Sequence, residues 1–227
     1  MSAPLAQRLA GWCAAAAILT GVAGAQTTRR GTASPSARGT FSLRGFGDAG
    51  LEMFQAADSF KTVFGTSTGI LVGGGVDVLA PRGVFAQVRA SRFRRTGARA
   101  FVFNGQVFAL GVPDTVSIIP IEFTGGYRLR GHGWPLVPFV GGGVGRHRYV
   151  ETSPGADRAE SASQTFTGYH VLGGVELPIW RWLGAVGEVQ WTSVPNALGT
   201  DPNSLSRSFN ETNLGGVTAR VKVVVGR

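Results

Sequence analysis

Apolar and polar residues alternate along eight short stretches of this chain, and almost every charge within them falls on one alternate set. The last stretch shows it best. Gly215, Val217, Ala219, Val221, Val223 and Val225 take one parity, and Thr218, Arg220 and Lys222 take the other. Side chains on a strand point to opposite faces with a period of two, so one face of this strand is oily and the other charged. The same pattern predicts strands over residues 41–54, 69–79, 84–93, 116–130, 136–150, 166–179, 185–194 and 212–225.

The parity rule sorts each strand into two sets. The first sets Phe41, Leu43, Gly45, Gly47, Ala49, Leu51 and Met53 against Ser42, Arg44, Asp48 and Glu52. The second opposes Ile70, Val72, Val76 and Val78 to Asp77, and the third opposes Val84, Ala86, Val88 and Ala90 to Gln87, Arg89 and Ser91. In the fourth, Ile119, Ile121, Phe123, Tyr127 and Leu129 face away from Glu122, Thr124 and Arg128. The sixth sets Tyr169, Val171, Val175, Leu177 and Ile179 against His170 and Glu176, and the seventh sets Val189 and Trp191 against Glu188, Gln190 and Thr192. The fifth strand is the weak case. Either Val137, Phe139, Gly141, Gly143 and Gly145 face outward, with Val140, Val144, Arg146 and Arg148 inward, or the reverse, which fits nearly as well.

A soluble sandwich hides its oil and exposes its charge. The reverse arrangement builds a membrane barrel, whose strands of about ten residues cross the hydrocarbon layer at a tilt. The connections alternate too. Short ones follow strands two, four and six, and long polar ones follow strands one, three, five and seven. Short periplasmic turns and longer outside loops are the rule in outer-membrane barrels. The expected fold is therefore all-β: an eight-stranded antiparallel up-and-down transmembrane β-barrel preceded by a signal peptide.

On that reading the charged sets meet inside. Arg44, Asp48, Glu52, Asp77, Arg89, Glu122, Arg128, Glu176, Glu188, Arg220 and Lys222 form a lumen charge network, with Glu188 placed to pair with Arg220 or Lys222. Eight strands leave an interior just wide enough for its own side chains, so the lumen reads as polar and largely plugged. Trp134, Trp180 and Trp182 lie at predicted short turns, where an interfacial girdle belongs, and Tyr127, Phe139 and Trp191 are candidates to extend it.

The first 25 residues carry Arg8, an alanine-rich apolar stretch and the small-residue run Ala23-Gly24-Ala25. That is the form of a cleaved secretory signal peptide with a mature start at Gln26. Residues 26–40 are polar and basic and read as a flexible lead-in. Residues 41–227 make the barrel domain. The only cysteine, Cys13, lies in the leader, so stability needs no disulfide. Removing Arg8 from a formal charge of +9 leaves +8. No nucleic-acid module accompanies that charge, and an anionic lipid surface suits an exported chain better than DNA or RNA.

The segment Trp134-Pro135-Leu136-Val137-Pro138-Phe139-Val140-Gly141-Gly142-Gly143-Val144-Gly145 resembles the Pro-aromatic-x-Gly-x-Gly strand of small outer-membrane β-barrel proteins. The strand before it, Ile118-Ile119-Pro120-Ile121-Glu122-Phe123, resembles that family's pattern before the turn. From about residue 41 to 225 the chain is similar to the eight-stranded barrels grouped with opacity-type porins. The resemblance implies a Gram-negative cell outer membrane location and assembly by the barrel-assembly machinery, but no defined ligand. The chain departs from it by ending Val223-Val224-Val225-Gly226-Arg227, where members commonly finish on an aromatic residue.

Signs of catalysis are weak. His132, His147 and His170 show no zinc-ligand spacing, and Gly73-Gly74-Gly75 and Gly141-Gly142-Gly143 open no helix and precede no phosphate-binding lysine. No cofactor or metal is expected. The leading expectation is a non-enzymatic barrel with a structural or surface-interaction role. A narrow porin-like channel for small solutes or ions is the alternative. A lipid-acting enzyme built around Ser91 or His170 ranks lower, as does a soluble lipocalin-like carrier. Arg92, Arg94, Arg95 and Arg99, at the outer rim of strand three, are the candidate lipopolysaccharide contact, because guanidinium groups pair well with phosphates. The apolar run 101–108 beyond them is read as a hairpin above the membrane or an adhesive surface. The oligomeric state is left open.

Overall fold

The computed structural model describes residues 41–103, 106–129, 135–152, 163–199 and 205–226. Side chains at 98–107 and 109–112 lie outside that description, and so do residues 1–40, on which the expected signal peptide and lead-in fall, Trp134 and His132. The strands are β1 (Ser42–Phe54), β2 (Thr68–Leu79), β3 (Val84–Phe103), β4 (Gln106–Arg128), β5 (Val137–Thr152), β6 (Ser163–Trp180), β7 (Leu183–Ser193) and β8 (Gly216–Gly226). Each pairs antiparallel with the next, and β8 pairs with β1, so the sheet closes into an eight-stranded barrel with no free edge. Pairing follows chain order throughout, which is up-and-down topology.

The wall is tilted. Following the paired residues from Val84 through Tyr127, Val140, Gly173, Val189, Ala219 and Leu51 leads to Ile70. Ile70 precedes Leu71, the partner of Phe93, so one circuit climbs about ten residues along β3.

Outward parity is oily. Ile70 is 68 % exposed and Val221 66 %, and Val72, Phe123, Tyr169, Val171, Val189 and Trp191 are exposed with them. All eleven ionisable residues assigned to the lumen are buried. Trp180 and Trp182 stack at the short-turn end with ring centroids 5.8 Å apart, and both are exposed.

Three features sharpen or differ from the sequence expectation. First, β3 and β4 do not stop at residues 93 and 116, and of the two readings of 101–108 the hairpin is the one the ladder takes up. Their ladder continues to the pair Phe103–Gln106, with one irregularity between Ala98 and Ala100. Both strands stay extended beyond the wall, and Thr96 and Thr115 bond side by side at 2.9 Å, a cross-strand pair that favours continued sheet.

Second, β5 takes the reverse facing. Phe139, Gly145 and His147 point inward, while Val140, Val144, Arg146 and Arg148 are exposed. Phe139 therefore does not join the outer girdle. Its ring meets Phe85 edge-on at 6.0 Å, inside the barrel. Space explains the choice. Phe46, Phe85 and Phe139 each lie across from a glycine, namely Gly75, Gly126 and Gly174. A Cβ at these glycines would fall 2.8, 2.5 and 2.6 Å from the respective ring. The glycines are bare so that the rings can fold over them.

Third, the long connection after β1 contains α1 (Ala57–Phe64). Gly65, at φ +73°, ends it, and its N–H donates to Lys61 O at 2.9 Å. The first-turn amides of Asp58 and Ser59 donate to the Glu211 carboxylate at 3.0 and 2.9 Å, which ties α1 to the connection before β8. That connection holds a short helix, α2 (Leu205–Ser208).

Candidate functional site: the barrel lumen

The inward parity stacks in layers. At the short-turn end a cavity of about 390 Å³ is lined by Arg44, Arg128 and Glu176 among others. Arg44 reaches Glu176 at 2.9 Å and Asp77 at 3.2 Å, and Arg128 reaches Glu176 at 2.7 Å. Two cations face two carboxylates here.

Above them lies an apolar layer of Phe46, Leu79, Phe85, Phe139, Leu172, Val186 and Val224. Its aromatic faces serve the next layer: Lys222 Nζ sits 5.0 Å from the Phe46 ring centre and 5.8 Å from that of Phe139.

The middle layer is ionic and centred on Arg89, which is 1 % exposed. Its guanidinium contacts Glu188 at 2.7 Å, Asp48 at 3.3 Å and Glu122 at 3.6 Å. It also donates to Gln190 Oε1 at 2.9 Å. Gln190, with no exposed surface, passes the network on by donating to Glu122 at 2.6 Å and Thr192 at 2.9 Å. Arg220 donates to Gln190 Oε1 and lies 3.6 Å from Glu188, and Lys222 contacts Glu188 directly. Asp48, Glu122 and Glu188 thus face Arg89, Arg220 and Lys222, so the charges balance. Glu52 is buried nearby, beside a cavity of about 20 Å³ that it shares with Glu122, His147 and Arg220. A buried charge is tolerable when it is paired and hydrogen-bonded; Glu122 and Glu188 have both kinds of partner, whereas Asp48 is held by its ion pair with Arg89 alone.

The loop end is apolar again. Phe54, Ala56, Phe60, Leu71, Phe93, Val116, Ile118, Val194, Ala197 and Leu214 form one cluster, and Phe60 brings α1 into it. Phe54 and Phe60 stack at 4.0 Å, and Phe93 meets Phe54 edge-on at 5.1 Å.

The two residues proposed for catalysis lie inside the wall. Ser91 is buried, and His170 Nε2 is paired with Thr124 Oγ1 at 2.8 Å. Among the described residues, no group of three or more His, Cys, Asp or Glu is arranged to hold a metal, and no helix is long and apolar enough to cross a membrane. Of the rim arginines, Arg92 and Arg94 are exposed on the outer face. Arg95 is half-buried and donates to Thr68 O at 2.9 Å. The Arg99 side chain lies outside the described residues.

Gln190 and the inward phenylalanines are the parts that parity reasoning undervalued. The available signal was the parity that Phe46 shares with Asp48 and Phe85 with Arg89.

No family model matches the chain, and no curated protein sequence does. Solved structures do. Neisserial surface protein A is 11 % identical and aligns over 82 % of this chain and 96 % of its own length, with a TM-score of 0.51. This chain has the fold of the small outer-membrane β-barrels. The N-terminal β-barrel domain of Pseudomonas aeruginosa OprF is 12 % identical, covering 84 % of this chain and 100 % of that domain at a TM-score of 0.46. Ail, the attachment invasion locus protein of Yersinia pestis, solved with the heparin analogue sucrose octasulfate, is 9 % identical over 83 % of this chain and 99 % of its own, also at 0.46. For this outer-membrane-type barrel, closure in register and an oily outer belt point to the outer membrane, with the charged parity turned away from lipid.

Proposed function

We propose that the chain is a Gram-negative outer-membrane protein whose lumen stays closed and whose role is structural or surface-binding rather than catalytic or conducting. The observation that carries this reading is the layering of the interior. An ionic layer neutral in its named pairs lies between two apolar clusters, and α1 packs into the outer one. An ion entering from the 390 Å³ cavity would have to leave water at the phenylalanine layer and displace Lys222 or Arg89 from their carboxylates. Breaking one buried pair costs about 3–5 kcal/mol. The β3–β4 hairpin, carried past the wall to Phe103–Gln106, is the surface offered to partners. Residues 1–25 serve as the export signal and 26–40 as a lead-in, and the barrel-assembly machinery inserts the product.

Planar bilayer recording of the purified protein tests the reading. Electrically silent bilayers are expected under conditions where heat-modifiable gel migration proves the barrel folded. Discrete conductance steps altered by Glu188→Gln would replace it with the narrow-channel alternative.

A further inference from the structure

The facing of β5 creates an unexpected surface. Among the described strand residues, the only exposed charges are Arg92, Arg94, Arg146 and Arg148. All four are cationic, and all lie on the outer face of two strands that flank β4. By the register, Arg148 pairs with Ile119 and Arg146 with Ile121, while Ala90 pairs with Ile121 and Arg94 with Ser117. The two arginine columns are therefore one strand apart, about 10 Å across the wall. The climb of the wall brings Arg146 to roughly the height of Arg92 and Arg148 to roughly that of Arg94, within about 2 Å for a tilt near 40°.

Their depth follows from the belt beneath. Val84, Ala86, Val88 and Ala90 occupy the outward positions of β3 below Arg92. Eight residues at that tilt rise roughly 20 Å, close to the height of an apolar band. The arginines therefore stand at its upper edge, on the long-loop side. Among the described residues none of them faces a carboxylate. Arg148 donates only to Ser163 Oγ, at 3.3 Å, and Thr165 and Thr167 of β6 stand exposed beside the β5 column. Ile121 and Phe123, exposed below and between the columns, offer an apolar track.

We propose that Arg92, Arg94, Arg146 and Arg148 form a clamp for the phosphates of an outer-leaflet glycolipid, lipopolysaccharide, whose acyl chains run down β4. The proposal rests on the outer-membrane reading above, which fixes the long-loop end as the outer leaflet. Guanidinium groups bind phosphate in a bidentate fork, and two columns suit a headgroup bearing two phosphates. Arg95, bonded to the backbone of β2, is not part of the clamp.

Native mass spectrometry of the full-length mature protein, released from detergent with bisphosphorylated lipid A, tests this. The wild type is expected to retain lipid A at least ten times better than the variant with all four arginines changed to glutamine. It should also prefer bisphosphorylated lipid A over its dephosphorylated form and over phosphatidylglycerol. Arg82→Gln and Arg181→Gln, exposed at the opposite end, should leave retention unchanged. If the fourfold variant does not fold, the pairs Arg92→Gln/Arg94→Gln and Arg146→Gln/Arg148→Gln are read instead, each with a several-fold loss expected. Unchanged retention in the folded variants, or equal retention of dephosphorylated lipid A, overturns the clamp. Equal retention of phosphatidylglycerol overturns the glycolipid assignment. Heat-modifiable migration and bilayer insertion are scored separately: their loss in the wild type would sink the barrel reading, whereas intact insertion with unaltered lipid A retention sinks only the clamp.

Discussion

Replacing Arg89 with methionine removes the cation that joins three strands of the lumen at once. Its guanidinium holds Asp48 from β1, Glu122 from β4 and Glu188 from β7, at 3.3, 3.6 and 2.7 Å. The side chain is 1 % exposed, so water cannot take its place without opening the layer. Arg220 and Lys222 would be left to balance three carboxylates. Removing one member of a buried pair typically costs about 3–5 kcal/mol, because the partner stays buried and uncompensated. We expect Arg89→Met to lose about that much stability, read as the urea midpoint of folding into lipid vesicles by tryptophan fluorescence and gel migration. The double variant Arg89→Met with Asp48→Asn deletes the stranded charge, since Arg89 is the one cation within ion-pair distance of Asp48 among the described residues while Glu188 keeps Lys222 and Arg220, and it should recover about half of the loss or more. A single-variant loss below about 1 kcal/mol, or no recovery in the double, would show that the ionic layer is hydrated rather than buried.

Other consequences are as direct. Gly174→Val would drive its side chain into the Phe139 ring, where even a Cβ falls at 2.6 Å, so a loss of about 1–3 kcal/mol is expected in the same titration. Val88→Arg places a cation in the middle of the oily belt and should cost about 2–4 kcal/mol, whereas Arg92→Gln at its edge should leave stability within error. Glu211→Ala frees the Asp58 and Ser59 amides, and hydrogen exchange should quicken at α1, by about 0.5–2 kcal/mol of local opening, with β7 and β8 unchanged.

The sequence was most legible where polarity and parity agree. In β8, Val221, Val223 and Val225 are exposed while Thr218, Arg220 and Lys222 are buried, as alternation alone implies. It was least legible where a large apolar residue belongs inside. Phe46 and Phe85 carry no polar mark of their own but share parity with Arg44 and Asp48 and with Gln87 and Arg89, whereas Phe139 lacks even that guide and its inward turn shows only in the glycine opposite, Gly174. Gly141, Gly142 and Gly143 give β5 no parity of their own, which is why the sequence leaves its facing, and with it the side of the wall that Arg146 and Arg148 take, nearly undecided. The Arg89 cluster was legible as a list of residues but not as a geometry. Asp48, Glu122 and Glu188 are far apart in sequence and meet only after the barrel closes. The helix α1 sits in a connection whose packing partner, the Phe54–Phe93 cluster, is likewise assembled only by closure.

The central claim concerns which way the wall faces. It is tested most directly by nitroxide labels at single cysteines introduced into the chain from Gln26 onward, which has no cysteine of its own, at Ile121, Val171 and Val221 on one parity and at Thr124, Gln190 and Thr218 on the other. In lipid vesicles the first three should collide strongly with dissolved oxygen and hardly at all with a water-soluble nickel relaxant, and the second three should be shielded from both. Strong nickel collisions at Ile121, Val171 and Val221 would mean that the oily face does not meet the hydrocarbon, and the account would fail.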